Sequence, residues 1–151
     1  MIFRNGRLIF PDAIRDGLEL VVRDGKITEI RESSRVSESD VIDLHGNFLA
    51  PGFIDLHLHG GVGRDTMEAS SEAFRAICDH HATGGTTSLL LTTVTAPMDE
   101  IVSVLQTVKE LHPMKQILGV HVEGPFISKA KRGAQREEFI TEPTSELIGE
   151  L

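Results

Sequence analysis

From Phe53 onward the chain alternates short apolar runs with amphipathic segments, and that order leaves few architectures open. Residues 53–58, 86–95 and 116–122 are rich in Leu, Ile, Val and Thr and have the length and composition of buried strands. Between them, residues 70–83 carry Ala73, Phe74, Ile77 and Cys78 at helical spacing. Ser70 or Ser71 serves as the cap of that helix, and Gly84-Gly85 as its stop. Pro97 opens a second helix, with Ile101, Val102, Leu105 and Val108 as its apolar stripe, which closes near His112-Pro113. A polar loop at 127–138 precedes a third helical segment at 143–151. The order βαβαβ with short links predicts an α/β fold with parallel strands and right-handed crossovers. Parallel strands of this kind are buried on both faces, which is the expectation for residues 53–58.

Residues 1–50 follow a different grammar. Segments 7–10, 18–22, 26–30, 41–44 and 48–50 read as short strands of a small β unit, with a tight turn at Asp24-Gly25. The polar stretch 33–40 reads as a loop. The change of pattern places a domain boundary between residues 50 and 51. An open doubly wound sheet is compatible with residues 51–151, but the Gly-x-Gly-x-x-Gly phosphate loop is absent and Gly60-Gly61-Val62-Gly63 is too loose to replace it.

Charge and composition exclude several function classes. Fifteen Lys+Arg against 23 Asp+Glu give a net charge of −8, which argues against nucleic-acid partners and anionic membrane surfaces. With no Trp and no Tyr, stacking platforms for bases are poorly supplied. No apolar run approaches the roughly 20 residues of a membrane span. The single cysteine, Cys78, and the lack of a secretory pattern at Met1-Ile2-Phe3-Arg4 predict a cytoplasmic protein.

The chemistry-bearing residues gather at the carboxyl ends of the three predicted strands, where parallel α/β folds build their sites. His57 and His59 close the first, two residues apart and therefore on one face. Thr92, Thr93 and Thr95 close the second, and His121 and Glu123 the third. Two imidazoles and a carboxylate form a ligand set for Zn²⁺, Fe²⁺, Mn²⁺ or Co²⁺. The bland alternatives are a hydrogen-bonded pair of core histidines and a glutamate acting as a cap or salt-bridge partner. His121 either supports the site or packs inside the sheet. Asp55 either orients a ligand imidazole or makes a structural hydrogen bond. His80 and His81 suit the last turn of a helix, while His45 and His112 lie beside turns and need no role. Cys78 reads as a small core residue. Lys129-Ala130-Lys131-Arg132 is either a solvated face or a basic lip beside an anion, and the small residues of Gly133-Ala134-Gln135 let backbone amides approach a ligand.

The run Pro51-Gly52-Phe53-Ile54-Asp55-Leu56-His57-Leu58-His59-Gly60-Gly61 resembles the first-strand signature of the amidohydrolase superfamily. Gly84-Gly85-Thr86-Thr87-Ser88, Thr92-Thr93-Val94-Thr95, His121-Val122-Glu123-Gly124-Pro125-Phe126 and Lys131-Arg132-Gly133-Ala134-Gln135 narrow it to the N-acetylglucosamine-6-phosphate deacetylase family. The resemblance covers essentially the whole chain. It implies a partial (β/α)8 TIM-type barrel, its first three βα units, in residues 51–151, preceded by part of a small β-sandwich in residues 1–50. It implies hydrolysis of N-acetylglucosamine 6-phosphate to glucosamine 6-phosphate and acetate, with one or two divalent ions (Zn, Fe, Mn or Co). Glu123 would be a metal ligand, bridging if two ions bind, and His57 and His59 would hold the second ion. The metal would polarise the acetamide carbonyl and activate water. Ala134 and Gln135 would lie against the sugar. A homodimer is implied for the full-length enzyme.

The same resemblance calls for groups outside these 151 residues: later-strand histidines, an aspartate acting as general base and acid, and an arginine and histidine for the phosphate. No proton-transfer residue is therefore assigned within residues 1–151. The expectation is an N-terminal fragment, inactive alone, with its third strand left as an edge. The rival readings are another amidohydrolase, dihydroorotase-like or isoaspartyl-dipeptidase-like, and a truncated product that binds metal without turnover.

Overall fold

A computed structural model describes residues 1–34, 39–111 and 114–151. The proposed helix end at His112-Pro113 and residues 35–38 of the polar stretch 33–40 lie outside the described residues. The chain divides into two compact units, Met1–Pro51 and Gly52–Leu151.

The first unit is all β: β1 (Ile2–Arg4), β2 (Arg7–Ile9), β3 (Ile14–Arg15), β4 (Leu18–Arg23), β5 (Lys26–Glu32), β6 (Val41–Asp43) and β7 (Phe48–Leu49). They form a four-stranded sheet in the order β5-β4-β1-β6 and a three-stranded sheet in the order β3-β2-β7. Asp24 and Gly25 both have positive φ, 50° and 71°, the conformation that a two-residue turn needs between right-twisted strands. That turn pairs Arg23 with Lys26 and Leu18 with Glu32. The three-residue strand β1 and the two-residue strand β3 carry too little pattern to be read from sequence. On β4 the residues buried most deeply are Glu19 and Val21. Leu20 and Val22 instead help line an apolar cavity of about 380 Å³ with Phe3, Leu8, Ile27 and Leu49. Glu19 tolerates burial because Arg4 Nε and Arg31 Nε donate to its two oxygens at 2.7 and 2.5 Å, and the Ser34 amide donates at 3.4 Å. Desolvation pushes its carboxyl upward, but the two guanidinium hydrogen bonds outweigh that and hold it below the ordinary glutamate range.

The second unit contains β8 (Phe53–Leu58), β9 (Gly60–Gly61), β10 (Arg64–Asp65), α1 (Ser71–Thr83), β11 (Thr86–Thr92), α2 (Met98–Glu110), β12 (Ile117–His121) and α3 (Ser145–Gly149). The strands β12-β11-β8 form a parallel sheet with β11 in the centre. Ser70 caps α1, its hydroxyl accepting from the Ala73 amide. Ala73, Phe74, Ile77 and Cys78 then bury against Leu58, Leu89 and Leu91 of the sheet. On α2 the fully buried residues are Ile101 and Val104, so the stripe runs one step away from the Val102 and Leu105 expected from sequence, which are half-buried. No helix among the described residues is long and apolar enough to cross a membrane.

The expectation that residues 53–58 are buried on both faces is not met. Phe53, Ile54 and Leu56 are 70%, 64% and 60% exposed, and only Leu58 reaches the core. The physical reason is position: β8 pairs with β11 alone among the described strands, and α1 covers only the end of it that carries Leu58. The strand pattern at 86–95 also ends early, at Thr92, although Thr93 and Thr95 are fully buried beyond it.

Candidate metal centre

The sheet register decides what meets at the carboxyl ends. Leu91 pairs with Leu58 and Thr92 with His121, so the ends of β8 and β12 flank the end of β11 at one level. His57 and His59 share a face of the first strand because side chains alternate. Glu123 follows β12 by two residues on an extended turn. Gly124 supports that turn: its φ is +86°, and a side chain there would run into Thr95.

Three atoms converge. His57 Nε2 and His59 Nε2 are 3.1 Å apart, and Glu123 Oε2 lies 3.4 and 3.1 Å from them. Ligand atoms bound to one ion at about 2.0–2.2 Å stand roughly 3.0–3.5 Å from each other, so these separations fit a single cation. Two further observations support that fit. Glu123 Oε2 is buried yet makes no hydrogen bond among the described residues. His59 Nδ1 lies 3.2 Å from the Thr92 carbonyl oxygen, which can only accept, so Nδ1 donates and Nε2 is the ring nitrogen turned toward Glu123. With hydrogen on Nδ1 alone, Nε2 and Oε2 are two acceptors 3.1 Å apart, an arrangement that a cation between them relieves. The group can hold a metal ion. With His57 about half exposed, its outer side is open to solvent.

The surrounding residues divide between support and packing. His121 sets its ring edge-on to His57, 4.9 Å between centroids, and its buried Nδ1 has no hydrogen-bond partner among the described residues. Asp55 accepts from the backbone amide of His57 at 3.0 Å, a local bond on the strand, and makes no hydrogen bond to an imidazole among the described residues. His81 Nε2 lies 3.2 Å from the Gly60 carbonyl, so it tethers the end of α1 to β9. His45 occupies an exposed turn beside Asp43. Cys78 is buried in the core, where desolvation first and Asp79 second push its thiol up, away from reactivity. Lys129–Lys131 forms a short exposed turn followed by Arg132, which pairs with Glu137 at 3.2 Å. Ala134 is exposed, and Gln135 Oε1 accepts the Thr95 amide at 2.7 Å, tying the 127–138 loop to the strand ends. Sequence reasoning missed the hydroxyl contacts of Thr92 and Thr93. The only signal for them was a cluster of threonines at the end of an apolar strand.

The chain is similar to known proteins over most of its length. An N-acetylglucosamine-6-phosphate deacetylase of Lysinibacillus sphaericus is 35% identical over 98% of the chain and 39% of its own length. An N-acetylgalactosamine-6-phosphate deacetylase of Escherichia coli O157:H7 is 33% identical over 93% of the chain and 37% of its own length. The crystal structure of N-acetylglucosamine-6-phosphate deacetylase from Pasteurella multocida superposes with a TM-score of 0.90 at 34% identity, over 98% of this chain and 40% of that one. The chain thus spans about two fifths of the length of these relatives. Residues 48–149, which include the strand ends and all three convergent side chains, match the amidohydrolase family. The chain belongs to the amidohydrolase family.

Proposed function

We propose that this chain carries the first part of the active site of an N-acetylglucosamine-6-phosphate deacetylase. In this reading β8, β11 and β12 are the first three strands of a (β/α)8 barrel, and residues 1–50 are part of a β-sandwich. The observation that carries it is the meeting of Glu123 with both His57 and His59 at distances that suit one cation. Likeness over most of the chain to deacetylases of amino-sugar phosphates supports the substrate class.

The reaction adds water across the acetamide: a C–O bond forms at the carbonyl carbon, the C–N bond breaks, and the amine leaves with a proton. A divalent cation (Zn, Fe, Mn or Co, one ion or two) supplies Lewis acidity toward the amide carbonyl and toward water. His57, His59 and Glu123 would hold it. The Thr92 carbonyl keeps His59 in the tautomer that exposes Nε2. Ala134 and Gln135 lie against the sugar, and the bond from Gln135 to Thr95 keeps their loop at the strand ends. No proton-transferring residue is assigned within residues 1–151 in this reading. The enzyme is a cytoplasmic homodimer acting on a free phosphorylated amino sugar.

The relative from Escherichia coli O157:H7 favours a second substrate, the 4-epimer N-acetylgalactosamine 6-phosphate. Acetate release by the protein that carries this chain, loaded with Zn²⁺ or Fe²⁺, separates the readings. Higher kcat/KM for N-acetylglucosamine 6-phosphate supports the first, and preference for the epimer moves the assignment to the second. Release of acetate from neither, with hydrolysis of dihydroorotate or an isoaspartyl dipeptide instead, overturns both.

A further inference from the structure

We propose that Thr92 and Thr93 are positioning residues that set the ligand geometry of the metal site, an inference that rests on the metal-site reading above. The two are adjacent at the end of the central strand and face opposite neighbours. Thr92 Oγ1 accepts the Leu58 amide at 2.9 Å, the peptide that lies between His57 and His59. Its carbonyl takes the His59 Nδ1 hydrogen at 3.2 Å. Thr93 turns to the other side: its Oγ1 accepts the amide of Glu123 itself at 3.2 Å, and its own amide donates to the His121 carbonyl at 3.1 Å. Thr95 adds a hydroxyl bond to the Glu123 carbonyl at 3.4 Å.

The location gives these bonds their consequence. The β8–β11 ladder has its last pairing at Leu91 and Leu58, and Thr92 lies one residue beyond. There a side-chain hydroxyl takes over from the backbone as the partner of a ligand-bearing segment. The Thr92–Leu58 bond is buried and the Thr93–Glu123 bond part-buried, so an amide that loses its hydroxyl partner loses a bond that solvent does not readily replace. It must shift, and the imidazole or carboxylate attached to it shifts too. A metal site is sensitive to such shifts because its bonds are short and directional. Thr92 thus governs the histidine side of the site and Thr93 the carboxylate side.

Competition of the metal-free protein with a chelator for Zn²⁺ reads this directly, without reference to turnover. Thr92→Val and Thr93→Val keep shape and volume but remove the hydroxyl, and each is expected to weaken Zn²⁺ binding by about 10–100-fold, as loss of a ligand's hydrogen-bond partner does elsewhere. Thr92→Ser and Thr93→Ser keep the hydroxyl and are expected to bind within about threefold of the parent, well short of that loss. Valine variants that bind Zn²⁺ as the parent does overturn the proposal. So do serine variants that lose as much affinity as the valine ones, because the methyl group would then be what matters. Should a valine variant fail to fold, Thr92→Ala or Thr93→Ala takes its place, with the same loss expected and parent-like Zn²⁺ binding overturning the proposal. A variant combining His57→Ala, His59→Ala and Glu123→Ala separates the two levels of the argument. If it binds Zn²⁺ like the parent, the metal-site reading fails and the positioning role with it. If it loses Zn²⁺ while the valine variants do not, only the positioning role fails.

Discussion

Glu123 Oε2 stands 3.1 Å from His59 Nε2, joining a turn after β12 to the end of β8 across the central strand. Each of the two groups turns a potential ligand atom to the same point. Replacing Glu123 by Gln keeps the shape and removes the charge, so Glu123→Gln is expected to lose tightly bound metal and at least about 100-fold in turnover, the upper range for disturbed metal sites. Elemental analysis of the purified variant checks the first and acetate release the second. Unchanged metal content would refute the ligand assignment.

His57→Ala combined with His59→Ala leaves Glu123 as the sole member of the group. In the two-ion form of the proposed site, bound metal drops by one equivalent, and the remaining ion stays with Glu123 and ligands from elsewhere. A variant with the parent's metal content and turnover shows instead that the pair is structural.

Gly124 has a φ of +86° and no room for a side chain beside Thr95. Gly124→Ala forces the turn open at the residue after the carboxylate ligand. Backbone strain of this kind costs about 1–3 kcal/mol, and the larger effect is expected on metal affinity, because Glu123 moves with the turn. Tm and chelator competition measured on the same sample distinguish the two. A loss of Tm without any loss of affinity contradicts the expectation.

Glu19 ties β4 to Arg4 of β1 and Arg31 of β5 from a fully buried position. Its carboxyl is depressed, so the stability it contributes is fully present above the ordinary glutamate range and is lost as pH falls through the lowered folded value. Glu19→Gln removes that titration: its Tm is expected to vary less with pH across the acid range than that of the parent. Glu19→Ala, which also leaves the two guanidinium groups without their shared partner, is expected to cost about 2–4 kcal/mol. That is slightly below the range for a fully buried pair, since Arg4 and Arg31 are partly exposed. Thermal melts across a pH series check both. A parallel pH profile for Glu19→Gln and the parent counts against the carboxylate as the acid-sensitive group.

Local signals carried much of the architecture. The positive-φ pair Asp24-Gly25, the Ser70 cap and the alternation of apolar runs with helix-period segments each act over a few residues, so they are legible without the fold. The same holds for the shared face of His57 and His59, a direct result of strand periodicity. Burial was less legible. Val104 displaces Val102 and Leu105 from the buried stripe of α2 because the helix's rotation against the sheet is set by packing, which hydrophobic spacing only approximates. Glu19 is buried against the general rule for charged residues, because two arginines from neighbouring strands surround it.

By itself the sequence determined the element order, the histidine pair and the kinds of ligand at the strand ends, since these depend on short-range spacing and side-chain chemistry. Tertiary structure decided the rest. The distance between His59 and Glu123 depends on strand order and register, properties of pairing between segments far apart in the chain. The partners of Thr92 and Thr93 depend on where the backbone ladder stops and a hydroxyl replaces it. Hydrogen bonds and metal ligation act over about 2–3.5 Å, and only the folded sheet brings such distant residues to that range.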